Sequence, residues 1–213
     1  MDSHFYAYLY RLRYIERWSL MRNVLKENVA EHTFQVALLT HALCTIANEV
    51  FGKSVPTEHI VTRALFHDVT EVFTGDIPTP VKHHNKDILR NFREIEDLAA
   101  TRLLNMVPEP LKNVYAPLIG DSARHRQSQL TPEQLEHKTY IKAADLLDAY
   151  LKCVTELSAG NREFSMAKKQ IEQSIAQMNM PELKYFLEHL APSFEKTLDE
   201  LAEDTDASPT DSN

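Results

Sequence analysis

The feature that most constrains this chain is an apolar spacing of three to four residues that returns in nearly every segment. Ile88, Phe92, Ile95, Ala99 and Leu103 follow it, as do Val36, Leu39, Leu43 and Ala47, and Leu135, Ile141, Leu147, Leu151 and Val154. That period lines one side of an α-helix with core-facing groups. β-Branched runs are scarce and only 4 Gly are present, which disfavours a sheet with many tight turns. An all-α fold is expected. The 213 residues fit one domain, placed over residues 1–201, and the acidic tail 202–213 is expected to be disordered.

Local signals set the expected boundaries. Phe5, Leu9, Leu12 and Ile15 predict a first helix ending near Arg17 and Trp18. Asn28 followed by Glu31 reads as a capping box opening a helix to about Val50, with His32 in its first turn. Pro56 and Thr57 open a third helix, through Ile60, Ala64 and Phe66, that carries or closely precedes His67 and Asp68. The run GDIPTPVK must then break any helix. A long amphipathic helix is expected from Asp87 to Met106, ended by Pro108 and Pro110, and a short one from Leu111 to Leu118. The polar stretch within 121–133 reads as a mobile loop, and Gly160 as the stop of the next helix. Two more helices are expected over 162–178 and 183–201, the second kinked or split at Pro192.

Charge and cysteine usage narrow the classes of partner. A formal net charge of −8 argues against the clustered Lys and Arg that hold nucleic-acid polymers, so any phosphate binding must be local. Cys44 and Cys153 lie far apart inside amphipathic segments, which implies reduced, buried thiols and a cytoplasmic location. No stretch reaches the roughly 18 apolar residues of a membrane span. Membrane association and secretion are therefore not expected.

The polar residues that stand out lie in ALFHDVTEVFTGDIPTPVK, from Ala64 to Lys82. His67 and Asp68 are adjacent at the end of an apolar run. Such a dipeptide arises easily by chance, and a helix end with solvated polar residues explains it as well. On a continuing helix, Glu71 lies four residues after His67 and three after Asp68, so the three share one side. This places a metal-ligand pair beside a possible proton-transfer group. His32 taken alone reads first as a partly buried histidine bonded to the backbone. Asp145, between Ala144 and the apolar Leu146 and Leu147, is costly to bury unless paired or bound to metal, and is favoured as a ligand. Asp148 and Lys152, four apart, read as a helix salt bridge.

The ordered set His32, His67 with Asp68, and Asp145 resembles the HD-domain metal-dependent phosphohydrolase superfamily. Arg17 with Trp18, ENVAEHTFQVA from Glu27, HDVTEVFTGDIPTPVK from His67 and KAADLLDAYLKC from Lys142 resemble, more closely, the bacterial 5′-deoxynucleotidases. This likeness covers nearly the whole chain before the tail. It implies a single-domain HD-type helical bundle with His32, His67, Asp68 and Asp145 as metal ligands. Two imidazoles and two carboxylates suit a divalent transition metal, with Co²⁺ or Mn²⁺ expected.

The same resemblance implies roles for other residues. Glu71 assists proton transfer, while His32, Asp68 and Asp145 lie against the substrate. Arg17 offers a planar fork that orients the phosphate, and Trp18 a flat wall for sugar or base. Without the resemblance, these two read as a solvated arginine beside a core tryptophan. Asp76, Ile77, Pro78 and Thr79 border the nucleotide, with Asp76 accepting from a sugar hydroxyl and Thr79 donating or accepting. The implied activity is hydrolysis of deoxyribonucleoside 5′-monophosphates to deoxynucleosides and inorganic phosphate by a homodimer. An HD phosphohydrolase acting on nucleoside triphosphates or another phosphate ester, and a noncatalytic metal- or nucleotide-binding sensor, are the alternatives.

Overall fold

The computed structural model describes residues 2–82, 84–123 and 131–206, and no β-strand occurs among the described residues. In chain order the helices are α1 (Phe5–Leu9), α2 (Val29–Glu49), α3 (Thr57–Ala64), α4 (Glu71–Thr74), α5 (Thr79–Lys82), α6 (Lys86–Met106), α7 (Lys112–Ala123), α8 (Pro132–Ser158), α9 (Ser165–Met178), α10 (Pro181–His189) and α11 (Leu198–Asp206). The all-α expectation holds. None of the helices searched among the described residues is long and apolar enough to cross a membrane.

Helix α2 begins where its cap requires. The Asn28 side chain accepts from the backbone N–H groups of Ala30 and Glu31 at 3.0 Å, and the Glu31 carboxylate accepts from Asn28 N–H at 3.0 Å. That reciprocal pair satisfies donors a helix start would otherwise leave open. Thr131 and Gln134 make the same arrangement ahead of α8, with Pro132 at its first position. Fixing these two starts sets the rotation of two of the longest core helices, and with it which residues turn inward.

Two apolar clusters result. One gathers Val36, Leu43 and Ala47 of α2, Ile60 and Ala64 of α3, Tyr140 and Leu147 of α8, Ile175 of α9 and Leu183 and Phe186 of α10. The other gathers Phe5 of α1, Val69, Ala100 and Leu103 of α6, Val107, and Ile119 of α7. Ala64 belongs to the first cluster and Val69 to the second, so the chain crosses from one to the other through residues 65–68. His67 and Asp68 sit on that crossing.

Several boundaries differ from expectation. The first helix does not run on to Trp18: α1 gives way to a 3₁₀ turn at Tyr10–Tyr14, and Ile15 is extended. The reason is a loop closed at its base, where Val29 N–H donates to Ile15 C=O at 3.0 Å and Arg17 N–H to Glu27 C=O at 2.9 Å. Helix α3 ends at Ala64, and the next residues form tight turns, with His67 N–H donating to Ala64 C=O at 3.3 Å and Glu71 N–H to Asp68 C=O at 3.0 Å. His67, Asp68 and Glu71 therefore do not share one continuous helix. The segment expected to split at Pro192 does so, into α10, a 3₁₀ turn at Ala191–Glu195, and α11. Helix α11 carries regular structure to Asp206, past the expected start of the tail at 202, and residues 207–213 lie outside the described ones. Of the polar stretch 121–133, residues 124–130 also lie outside them. Cys44 and Cys153 are free, buried thiols, as expected.

Candidate active site

The capped start of α2 turns His32 into the interior, where it is fully buried. Its Nδ1 lies 2.7 Å from Asp148 Oδ2, which leaves Nε2 facing the crossing segment. His67 is arranged in the same sense: Nδ1 lies 2.7 Å from the Ala64 carbonyl, the C-terminal end of α3, and Nε2 lies 3.3 Å from His32 Nε2. Asp68 Oδ2 stands 3.0 Å from His67 Nε2 and 3.4 Å from His32 Nε2. His32, His67 and Asp68 thus offer one ligand-type atom each, all within 4.8 Å of one another.

Asp145, from the middle of α8, places Oδ1 3.5 Å from His32 Nε2 and uses Oδ2 to accept from Lys142 Nζ at 2.7 Å. It borders the triad rather than completing an equally tight quartet. The donor chemistry fits a divalent cation. Two imidazole nitrogens converge with their opposite ring nitrogens already tied down, and carboxylate oxygens stand beside them.

Electrostatics sharpen the pattern. Burial opposes charge on His32, yet its hydrogen bonds with Asp148 and Asp68 raise its pKa to about 10. Burial likewise opposes ionisation of Asp68, but His67 and His32 hold it well below the usual carboxylate range. Asp145 is lowered to about 2, with Lys142 and His32 overcoming burial. Glu71 goes the other way: burial, then the neighbouring charges of Asp68 and Asp76, push it up to about 9. One oxygen of Glu71 lies 3.7 Å from Lys82 Nζ, and the other is buried without a hydrogen-bond partner.

The loop between Ile15 and Val29 delivers the remaining groups. Arg17 Nη1 donates to Glu27 and approaches Asp148 Oδ2 at 3.4 Å, and the charges of Glu27, Asp145 and Asp76 keep the guanidinium protonated against burial. Glu27, His32 and Asp148 also cluster, but Arg17 is seated among these carboxylates, so a cation is already present there. Trp18 has a left-handed backbone, with φ of 54°, and stacks at a tilt on Phe164 with ring centroids 5.4 Å apart. A bulky residue in that region stores strain that the surrounding structure must hold. The residue as a whole is half-buried.

Gly75, at φ of 71°, turns the chain after α4 in a conformation that L side chains rarely adopt. Asp76, Ile77 and Pro78 follow, all half-buried, and the Pro78 carbonyl accepts from Val81 and Lys82 N–H at the start of α5. Asp76 is close enough to act on the charges of Arg17 and Glu71. The Thr79 side chain lies outside the described residues.

Residues 4–194 match the family described as 5′-deoxynucleotidase YfbR-like. The chain belongs to that family. Within it, the chain is 47% identical over 204 residues to 5′-deoxynucleotidase YfbR of Shigella boydii serotype 18, covering 96% of this chain and 98% of that one. The same name, identity and coverage apply to Escherichia coli strain K12. Among solved structures, an HD-domain phosphohydrolase from Listeria innocua superposes with a TM-score of 0.74 at 22% identity, over 94% of this chain and 96% of that one. The cyanophage S-2L HD phosphohydrolase DatZ, solved with dA and one catalytic Zn²⁺ ion, gives 0.60 at 17% identity over 88% and 96%. The fold of this YfbR-like chain is that of an HD phosphohydrolase.

Two residues that this YfbR-like chain brings against the candidate site, Asp148 and Glu27, are not singled out by the sequence alone. Asp148 was expected to pair with Lys152; instead Lys152 donates to Glu156 at 2.6 Å and Asp148 faces His32. Its signal was available: Asp148 lies among Ala144, Leu147 and Leu151 on the buried side of α8, where an unpaired acid is costly. Glu27 carried no such signal, because it lies in a loop whose closure depends on contacts remote from its own sequence neighbours.

Proposed function

We propose that this protein is a metal-dependent 5′-deoxynucleotidase that hydrolyses deoxyribonucleoside 5′-monophosphates to deoxynucleosides and inorganic phosphate. The observation that carries the mechanism is the convergence of His32 Nε2, His67 Nε2 and Asp68 Oδ2, with Arg17 two contacts away through Asp148. Membership of the 5′-deoxynucleotidase family supports the substrate class.

His32, His67, Asp68 and Asp145 would hold the cation, for which Co²⁺ or Mn²⁺ is our reading. A divalent cation supplies Lewis-acid polarisation of a phosphoryl oxygen and lowers the pKa of water. Arg17 orients the phosphate: its Nη1 is committed to Glu27 and Asp148, and the planar guanidinium carries further donors on other nitrogens. Glu71 handles the proton: burial and the charges of Asp68 and Asp76 raise its carboxyl to about 9 in the metal-free fold, so at neutral pH it carries a proton it can donate. Asp68 and Asp145, both held ionised, line the reacting phosphate. Trp18 walls the sugar and base, and Asp76 with Ile77, Pro78 and Thr79 borders the nucleotide.

The protein acts, in this reading, as a cytoplasmic homodimer. Unpaired, buried Cys44 and Cys153 support a reducing compartment, and sedimentation at working concentration tests the dimer. For the activity, metal-stripped protein is incubated with dAMP, AMP and dATP, and Co²⁺, Mn²⁺ or Mg²⁺ is restored separately. Phosphate release from dAMP, little from AMP, and no pyrophosphate or tripolyphosphate from dATP is the expected result. Tripolyphosphate from dATP would instead mark a triphosphohydrolase, and binding without product under every metal a sensor.

A further inference from the structure

One carboxylate oxygen links the two halves of the site. Asp148 Oδ2 lies 2.7 Å from His32 Nδ1 and 3.4 Å from Arg17 Nη1. All three side chains are buried or nearly so, with relative exposures of 0% for His32 and 11% each for Arg17 and Asp148. The imidazole and the guanidinium come from different parts of the fold. His32 stands in the first turn of α2, Arg17 in the loop before it, and Asp148 on α8. Glu27 Oε1 also accepts from Arg17 Nη1 but lies 3.9 Å from His32 Nδ1, beyond hydrogen-bond reach, whereas Asp148 Oδ2 bonds to the imidazole and the guanidinium alike.

Building on the function proposed above, we infer that Asp148 is a positioning residue for the hydrolysis, setting the tautomer and orientation of His32 and the reach of Arg17 through a single oxygen. On the His32 side, a carboxylate accepting from Nδ1–H leaves Nε2 with its lone pair free to bind a cation, and such outer partners raise the basicity of the ligand. On the Arg17 side, Asp148 and Glu27 converge on the same Nη1. They hold that end of the fork and leave the remaining donors to meet a phosphate. Asp148 touches neither the cation nor the substrate. Its effect passes entirely through the two residues it holds.

The geometry separates the two roles experimentally. Asp148→Ala removes both, whereas Asp148→Asn is near-isosteric and retains one oxygen that can accept from His32 Nδ1–H while losing the charge that faces Arg17. Wild-type and variant proteins are stripped of metal, and Zn²⁺ is titrated calorimetrically. Ring-nitrogen NMR then reports the His32 tautomer in the zinc-loaded state, and dAMP kinetics are measured at saturating Co²⁺. Asp148→Ala is expected to weaken Zn²⁺ binding about 10- to 100-fold, to mix the two His32 tautomers, and to raise the KM for dAMP. Asp148→Asn is expected to restore Zn²⁺ affinity and the single Nδ1–H tautomer while KM stays raised.

Unchanged Zn²⁺ affinity, tautomer and KM in both variants overturns the inference. Equal losses in the two variants that simply follow a fall in Tm overturn it as well, since packing alone would then account for Asp148. Wild-type protein that binds Zn²⁺ and hydrolyses dAMP in the same experiments isolates either failure to Asp148. Wild-type protein that does neither removes the nucleotidase reading itself, and this inference with it.

Discussion

His32 and His67 present their Nε2 atoms to each other at 3.3 Å, while each Nδ1 is held at 2.7 Å by a different acceptor, Asp148 for one and the Ala64 carbonyl for the other. Two imidazoles facing one point with both rings locked are poised to share a cation. Replacing His67 by alanine removes a proposed ligand outright. The expected loss of metal affinity exceeds the roughly 10- to 100-fold cost of deleting an outer partner. Titration of metal-stripped His67→Ala with Co²⁺, followed through its visible absorption, measures it.

Arg17 tests the value of a planar fork. Lysine keeps the charge but offers a point cation on a flexible stem. A hydrogen bond to a charged group contributes about 1.5–3 kcal/mol. Loss of one such bond should raise the KM of Arg17→Lys for dAMP by roughly 10- to 100-fold. Steady-state phosphate release at saturating metal provides the check, and an unchanged KM would remove Arg17 from the substrate side of the site.

Glu71 links function to instability. Its carboxyl is held near pKa 9 in the metal-free fold against an ordinary value of 4.5, so the folded state binds that proton more tightly than the unfolded state. Below about pH 4.5 the group costs no stability; as pH rises toward 9, stability is progressively lost. Glu71→Gln should therefore make metal-stripped protein more stable at pH 8, by on the order of 1–3 kcal/mol, and flatten the slope between those limits. The same change should slow turnover by about 10²- to 10⁴-fold. Urea melts across pH, paired with dAMP hydrolysis, read both effects.

Glu156 fastens the loop that carries Arg17 and Trp18. Its carboxylate accepts from Val24 N–H at 2.9 Å, Leu25 N–H at 3.1 Å, Lys152 Nζ at 2.6 Å and Asn161 Nδ2 at 2.7 Å. Burial disfavours its charge, but these donors lower its pKa to about 2, so its contribution is present above pH 4.5 and is lost as pH falls toward 2. Removing one partner of a buried pair typically costs about 3–5 kcal/mol. Glu156→Ala is expected to lose stability of that order, and the Val24 and Leu25 amides should exchange hydrogen far faster than in wild type.

Much of this was legible in sequence because helices announce themselves locally. The Asn28 and Glu31 cap, the apolar face of α2 and the Pro132 start of α8 each rest on residues within a few positions of one another. Asp145 stands out locally as an acid that is costly to bury, whereas His32 and the His67–Asp68 pair gain meaning as ligand candidates only through the order of all four, which resembles the HD-domain phosphohydrolases. What could not be read was tertiary. The loop from Ile15 to Val29 is closed by long-range backbone bonds, so helical periodicity ran on past Tyr14 where the chain does not. Asp148 had a plausible neighbour at Lys152, and only the approach of α2 to α8 shows that His32 claims it instead.

Ala64 packs in one apolar cluster and Val69 in the other, with His67 and Asp68 between them. A cation bound by His67 and Asp68 together with His32 of α2 would therefore act as a staple across a seam, tying the crossing strand of chain to the first core. Ligand binding of this kind stabilises the native state in proportion to the logarithm of its concentration over Kd. The proposed catalytic ion would then be a structural cross-link as well, and chelation would loosen the join between two halves of the molecule at the proposed site of turnover.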